Sequence, residues 1–481
     1  MTATPDLSAF IKAYDVRGLV PEQLSPEVAR AIGAAFAEVI ARPDQAEAVV
    51  VGHDMRPSSP ELSRAFAEGV AARGLDVVLI GLASTDQLYF ASGSLDLPGA
   101  MFTASHNPAQ YNGIKLCRSG ARPVGQDSGL TEVRDLAQSV LDDGYAVLTP
   151  VETLGQVREQ DVLTDYAAFL RSLVDLRGIR PLKVVIDAGN GMAGHTVPAV
   201  LGDGAGLDDL KLDIVPLYFE LDGSFPNHEA NPLDPANLVD LQDAVRREGA
   251  DLGLAFDGDA DRCFVIDERG EPVSPSAITA LVAVREIARE VAAGIQPGEV
   301  RIVHNVITSK VVEEEVRAAG AEPVRTRVGH SFIKGEMARS GAVFGGEHSA
   351  HYYFREFWFA DTGMLAAMHV LAALGERDRP LSEVGGHYDR YSASGEINST
   401  VTDAPATTDR VREWAEDTHG PVGLDTLDGL TITKAGDDGD WLWWLNLRAS
   451  NTEPLLRLNV EARDEATMSE LRDAVLQIVR V

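Results

Sequence analysis

Basic residues are scarce in this chain. Lys and Arg total 42 of 481 residues against 74 Asp and Glu, a formal net charge of −32. Such acidity argues against non-specific binding to nucleic acid or to an anionic membrane surface. Its repulsion of anionic substrates is screened beyond about 8 Å at physiological salt, so a local basic cluster can still hold a phosphate. Cysteine is scarcer still, with Cys117 and Cys263 alone. They lie far apart in apolar, strand-like stretches, which argues against a disulfide or a thiolate metal site and predicts buried free thiols in a reducing, cytoplasmic compartment. No apolar run reaches bilayer length: MLAAMHVLAAL is broken by a histidine and reads as a buried helix. The opening MTATPDLSAFIKAYDVRG has neither the basic nor the apolar region of a secretory signal. The expected partners are therefore small molecules, with no nucleic acid and no membrane.

What is present is ordinary globular material, 45% apolar and 24% charged, long enough for about three or four domains of roughly 150 residues each. Three stretches share one rhythm: VVVGHDMRPSSPELSRAFAEGVAARGLDVVLIG (49–81), LKVVIDAGNGMAGHTVPAVL (182–201) and VRIVHNVITSKVVEEEVRAAGAEPVRTRVG (300–329). Each opens with a β-branched run, turns through polar residues or glycine, and continues as a helix, which implies parallel strand pairing. The end of the chain differs. TTDRVREWAEDTHG reads as a helix, LDGLTITK, DWLWWLNLR and LLRLNVEA as strands, and DEATMSELRDAVLQIVRV as a closing helix capped by its Asp. The expected fold is α/β, with three tandem α/β domains of mixed sheets (1–151, 152–271, 272–390) and a C-terminal α+β domain (391–481). Linkers are expected near 148–155, 267–275 and 386–395.

Five stretches carry candidate chemistry. TASHNP (103–108) sets Ser105 beside His106 in a turn; alone it reads as a surface turn. Asn107 precedes a proline and is biased away from helix, which would help hold Ser105 exposed on a loop. DGDADR (257–262) places Asp257, Asp259 and Asp261 at alternate positions between apolar strands, where like charges repel unless a cation lies among them. An EF-hand loop would also use three such aspartates, and Glu268 falls at its twelfth position. However, Arg262 stands where that loop needs glycine, and CFVI reads as strand. A short carboxylate span that completes its shell with phosphate oxygen suits Mg²⁺. In RASNTEPLLR (448–457), Arg448 and Arg457 bracket Ser450, Asn451 and Thr452; this is either a plain hairpin turn or an anion cup. The preceding Trp441, Trp443 and Trp444 read as core and rim of a strand. In GEHSAH (346–351), an extended run would point Glu347, Ser349 and His351 to one face, suited to sugar hydroxyls, and an ordinary edge strand is an equal reading. KAYDVRG (12–18) is a polar turn with Tyr14 and Arg17.

Together and in this order, these stretches resemble the α-D-phosphohexomutase family, over nearly the whole chain and with at least one motif in each domain. Within it, they are most similar to the bacterial phosphomannomutase/phosphoglucomutase group, as is SGEINS (394–399). The resemblance implies four domains around a central cleft. It implies reversible phosphoryl transfer between the 1- and 6-positions of a hexose phosphate, mannose and also glucose, through a phosphorylated Ser105. Hexose 1,6-bisphosphate is then both intermediate and activator. By the same resemblance, Ser105, Asp257, Asp259 and Asp261 hold Mg²⁺. Arg17 and Lys115 stabilise the transferring oxygens and handle protons, His106 orients the loop, and His330 shares proton transfer. Tyr14, Arg262, Glu347, Ser349 and His351 bind substrate. Arg448, Ser450, Asn451, Thr452 and Arg457 hold the phosphate that is not reacting.

The pattern departs from the family at two places. His348 stands where the best-known members of the group have methionine, the family's glucosamine mutases glutamine, and its eukaryotic-type glucomutases a second glutamate. Ile307 stands where relatives place a lysine, with Lys310 as the nearby substitute. Alternatives are a phosphoglucosamine mutase, a synthase releasing hexose 1,6-bisphosphate, and a non-catalytic phosphosugar sensor. A monomer or weak homodimer is expected, with the C-terminal domain rotating as a lid after the 386–395 linker.

Overall fold

The computed structural model describes residues 5–12, 14–449 and 455–480. The chain forms two compact units, one from residues 1–273 and 349–382, the other from 274–348 and 383–481.

The first unit contains two mixed sheets. In the first, the all-buried valines of Ala48–His53 form a central strand, parallel on one side to Gly99–Phe102 and on the other to Asp76–Leu82. Tyr111–Arg118 and Val16–Leu19 extend it antiparallel on one edge, and Val157–Glu159 pairs parallel to Asp76–Leu82 on the other. The helix Pro26–Phe36 starts where Ser25 Oγ accepts the Val28 N–H and proline occupies the first turn, a position that needs no N–H. Its small, apolar face packs with Phe66 and Val70 into the core under the sheet. The second sheet runs Pro272–Val273, Cys263–Asp267, Leu252–Phe256, Leu182–Asp187, Leu212–Leu217, antiparallel for the first two pairings and parallel for the last two. Cys117 and Cys263 are buried free thiols in strands, as expected. DERGEPVSP makes the turn of a strand pair and then caps the helix Pro275–Ala292 through Ser274, and the boundary between the two units falls within it, at Val273/Ser274, as expected.

In the second unit, Arg301–Asn305 lies between Glu322–Thr326 and Phe344–Gly346, all parallel. The C-terminal strands Gly423–Asp425, Leu430–Ala435, Trp441–Ala449 and Leu455–Ala462 form an antiparallel sheet. Ala404–His419 and Glu465–Val479 cover its apolar face, and Asp464 caps the latter by accepting the Thr467 N–H. Trp443 and Trp444 are buried in or beside this core, so they are packing residues, as expected.

Ser105 and Asp257 sit in loops at the carboxyl ends of strands of these sheets. Ser105 follows Gly99–Phe102, and Asp257 follows Leu252–Phe256. No helix among the described residues is long and apolar enough to cross a membrane.

Candidate active site

The backbone of Ser105 adopts φ 48°, an unusual conformation for a residue with a side chain, so something must hold it. Its N–H donates to Thr103 Oγ1 at 2.9 Å and its Oγ donates to Asp257 Oδ2 at 2.9 Å, with His106 Nδ1 at 3.2 Å. Contrary to the expectation, the serine is not exposed: its residual accessibility is 4%. The proline three residues further on does not leave it open: the acidic turn and a buried arginine hold the loop.

That arginine, Arg56, went unnoticed in the sequence. It is fully buried and paired with Asp54 at 3.2 Å. Its Nη2 donates to the carbonyls of Ser105 (2.9 Å) and Asn107 (2.7 Å), and its Nη1 to those of Pro108 (3.0 Å) and Tyr111 (2.9 Å). Asp54 is itself anchored by the Arg56 N–H and the Ser59 hydroxyl. One planar guanidinium thus fixes four carbonyls of the serine loop, a fork geometry that lysine lacks. Arg17 reaches the same loop, with Nη1 donating to Asn107 Oδ1 and Nε paired with Asp15 at 2.9 Å.

Asp257, Asp259 and Asp261 are all buried, each offering a ligand atom within 4.8 Å of the others. Their turn fits against the serine loop because residue 258 is glycine; a Cβ there would lie 2.5 Å from the Ser105 carbonyl oxygen. Behind it, Met192 N–H donates to the Gly258 carbonyl at 2.9 Å. Lys115 Nζ donates to Asp259 Oδ2 at 2.7 Å and Asp261 Oδ2 at 2.5 Å. Thr85 Oγ1 donates to Asp259 Oδ2 at 2.6 Å, and Arg262 Nε to Asp257 Oδ2 at 2.9 Å. Burial would raise Asp259, but Lys115 outweighs it and holds the carboxyl far below the usual range. Burial also opposes charge on Lys115, yet Asp259 and Asp261 hold it protonated. Asp259 Oδ1 and Asp261 Oδ1 are buried with no hydrogen-bond partner among the described residues. Two orphaned carboxylate oxygens in an all-oxygen cluster fit a hard divalent cation. An EF-hand is excluded, because Cys263–Asp267 is strand and Glu268 instead accepts the Ser382 N–H and hydroxyl.

His106 Nδ1 accepts from Arg262 Nη2 at 2.6 Å. Since arginine only donates, Nδ1 carries no proton. Burial, with Arg262 and Arg17 alongside, pushes the imidazole down to about 2, so it is neutral. His351 Nε2 lies 3.7 Å from Asp261 Oδ1, and Asp261, His351 and Asp361 form a second close group. Ser349 Oγ is 3.1 Å from His351 Nδ1.

Beneath the acidic turn, Asp86 collects the hydroxyls of Ser84, Tyr166 (2.7 Å) and Thr362 (2.7 Å). Burial raises its pKa from 3.8 to about 6 despite these donors. The fold therefore binds this proton more tightly than the unfolded chain does. The associated stability is complete below pH 3.8 and is lost as pH rises through about 6. A shift of this size corresponds to about 3 kcal/mol. In urea unfolding, wild type is expected to lose roughly 2–3 kcal/mol relative to D86N between about pH 4 and 7; parallel pH profiles for the two proteins would refute this.

In the second unit, Glu347 Oε1 accepts from Asn305 Nδ2 at 3.3 Å and from the Gly329 N–H at 3.2 Å, next to His330 at the start of the helix His330–Ser340. The expected alternation of Glu347, Ser349 and His351 does not hold. The strand ends at Gly346, and residues 347–350 turn, with Ala350 at φ 64°. His348 Nδ1 lies 3.1 Å from Ser276 Oγ. Lys310 Nζ is paired with Glu313 at 2.6 Å on its own helix, and Ile307 packs against Trp444. Arg448 and Arg457 are cross-strand partners. Ser450, Asn451 and Thr452 lie outside the described residues, and Tyr14 lies in the bend before Val16–Leu19.

The domain models of the phosphoglucomutase/phosphomannomutase family match in order: alpha/beta/alpha domain I over residues 9–140, domain II over 164–270, domain III over 275–391, and the C-terminal domain over 396–478. A protein of Xanthomonas campestris named for phosphohexose mutases is 42% identical, and a phosphomannomutase of Escherichia coli 38%, each covering 97% of both chains. A crystal structure of a phosphoglucomutase/phosphomannomutase family protein from Burkholderia thailandensis superposes with a TM-score of 0.83 at 30% identity, covering 98% of this chain and 97% of that one.

Proposed function

This chain belongs to the phosphoglucomutase/phosphomannomutase family of phosphoryl-transferring mutases, and from that premise we propose that it interconverts hexose 1- and 6-phosphates, with mannose and glucose as the sugars, through a phosphorylated Ser105. The observation that carries this reading is Ser105 Oγ donating to Asp257 Oδ2 at 2.9 Å, in a buried turn ringed by Lys115, Arg262 and Arg17.

In this reading, the phosphoryl group on Ser105 passes to the free 6-hydroxyl of a hexose 1-phosphate, which loses its proton. The serine oxygen is released, and hexose 1,6-bisphosphate forms. The bisphosphate reorients, its 1-phosphoryl group returns to Ser105, and hexose 6-phosphate leaves. Such transfer depends on in-line placement and charge neutralisation. The Arg56 fork supplies the placement. The cations of Lys115, Arg262 and Arg17 face the transferring oxygens. His106, neutral with an unprotonated Nδ1, orients the loop; Arg262 already occupies that nitrogen, which argues against it as the main base. His330 shares proton handling with Lys115 and Arg17, and His351 binds substrate. Asp257, Asp259, Asp261 and a phosphoserine oxygen would hold Mg²⁺, which when bound supplies further charge neutralisation. Glu347, Ser349 and Tyr14 engage the sugar, and Arg448 and Arg457, with Ser450, Asn451 and Thr452, hold the idle phosphate. Two buried thiols agree with a cytoplasmic setting.

The test is a coupled assay with mannose, glucose and glucosamine 1-phosphates, bisphosphate activator, and either Mg²⁺ or EDTA. Mannose and glucose are expected to share the highest kcat/KM, and turnover is expected to vanish in EDTA and return with Mg²⁺. A clear preference for glucosamine would reassign the sugar. Net accumulation of bisphosphate would identify a synthase, and no turnover at all would identify a sensor.

A further inference from the structure

Arg448 and Arg457 stand directly opposite each other on antiparallel strands. Like charges in that register repel. Glu396, at the start of the SGEINS motif's Glu-Ile-Asn, answers both: its Oε2 pairs with Arg448 Nη2 at 3.0 Å and its Oε1 with Arg457 Nη1 at 2.9 Å. One planar carboxylate gives one oxygen to each guanidinium, as a phosphate bridging the pair would. The Nε groups of both arginines are buried without a partner among the described residues, so donor capacity remains. All three side chains keep some solvent contact, so an anion can reach them. Glu396 also acts electrostatically on His348, the residue that departs from the family pattern in the GEHSAH turn.

We propose that Glu396 is a resident competitor for the phosphate cup, a positioning residue that weakens the grip of Arg448 and Arg457 on any bound phosphate. This rests on the reading of those arginines as the holders of the idle phosphate. Its use follows from the reaction. A bisphosphate that must exchange its two ends has to leave the cup once in every turnover. A cup that binds ground states too tightly lowers KM without raising kcat, and slows that exchange. A carboxylate that re-bridges the arginines as the phosphate departs offsets their repulsion and speeds release.

The test is E396Q, which keeps the shape and removes the charge. By calorimetric titration with inorganic phosphate and with glucose 1-phosphate, its Kd is expected to fall about tenfold, an effect of about 1.4 kcal/mol. KM for mannose and glucose 1-phosphates should fall in step, and kcat should fall because release slows. E396D, which keeps the charge, should return both toward wild type. If Glu396 only braces the arginines, E396Q will raise Kd and KM, and the proposal is overturned; an unchanged Kd overturns it equally. R448A and R457A separate this from the parent reading. If neither weakens phosphate binding, the cup itself is misassigned, whatever E396Q does.

Discussion

S105A is expected to lose mutase turnover by on the order of 10⁴-fold or more, because it removes the hydroxyl proposed to carry the phosphoryl group between half-reactions. Water cannot replace the serine: transfer to water hydrolyses the bisphosphate rather than storing the phosphoryl group. The substitution removes one hydroxyl, its bond to Asp257 and its contact with His106. The loop stays held through its backbone, because the four bonds from Arg56 go to carbonyls. The variant should therefore fold, with a melting temperature close to that of wild type. Intact-mass measurement should show one added phosphoryl group on wild type after exposure to hexose 1,6-bisphosphate, and none on S105A. Full turnover by S105A with the activator present would remove the phosphoserine from the reaction.

R56A should have the largest effect on stability. It leaves Asp54 buried without its cation and strips donors from four carbonyls. Breaking a buried pair in this way costs about 3–5 kcal/mol. R56K keeps the charge, but its single ammonium cannot span four acceptors. It should fold with an intermediate loss of stability, and Ser105 should take up phosphate more slowly, with KM less affected than kcat. Urea unfolding and single-turnover phosphorylation measure the two effects. An R56A protein within about 1 kcal/mol of wild type would show that the fork holds nothing essential; typical surface changes fall within ±0.5 kcal/mol.

What could be read from the sequence follows from where the partners lie. Three aspartates within five residues announce their mutual repulsion in one short string, and the structure brings their ligand atoms within 4.8 Å. Strands such as Ala48–His53 announce themselves by a continuous β-branched run, Val49 to Val51. Arg56 and Asp86 do neither. Arg56 bonds to backbone carbonyls about fifty residues away, and carbonyls leave no mark on residue identity. The one trace is a charged Asp-x-Arg directly after a strand that opens with an apolar run. The burial of Ser105 depends on Asp257, 152 residues on, so a local turn signal pointed the wrong way. In GEHSAH, bringing Glu347, Ser349 and His351 to one face needs extended backbone, and one left-handed residue, Ala350, prevents it.

The Asp86 knot also sets an order on synthesis. Its third hydroxyl comes from Thr362, 276 residues later in the chain, within the segment that returns to the first unit. Contacts this remote in sequence form late, after the cost of closing the intervening chain has been met. On the ribosome, the first unit must therefore wait with Asp86 one donor short while residues 274–348 are made, and a chain stalled before Thr362 exposes that gap. The acidic turn is built on Thr85, one residue away. Its final setting is thus delayed until most of the polypeptide has emerged.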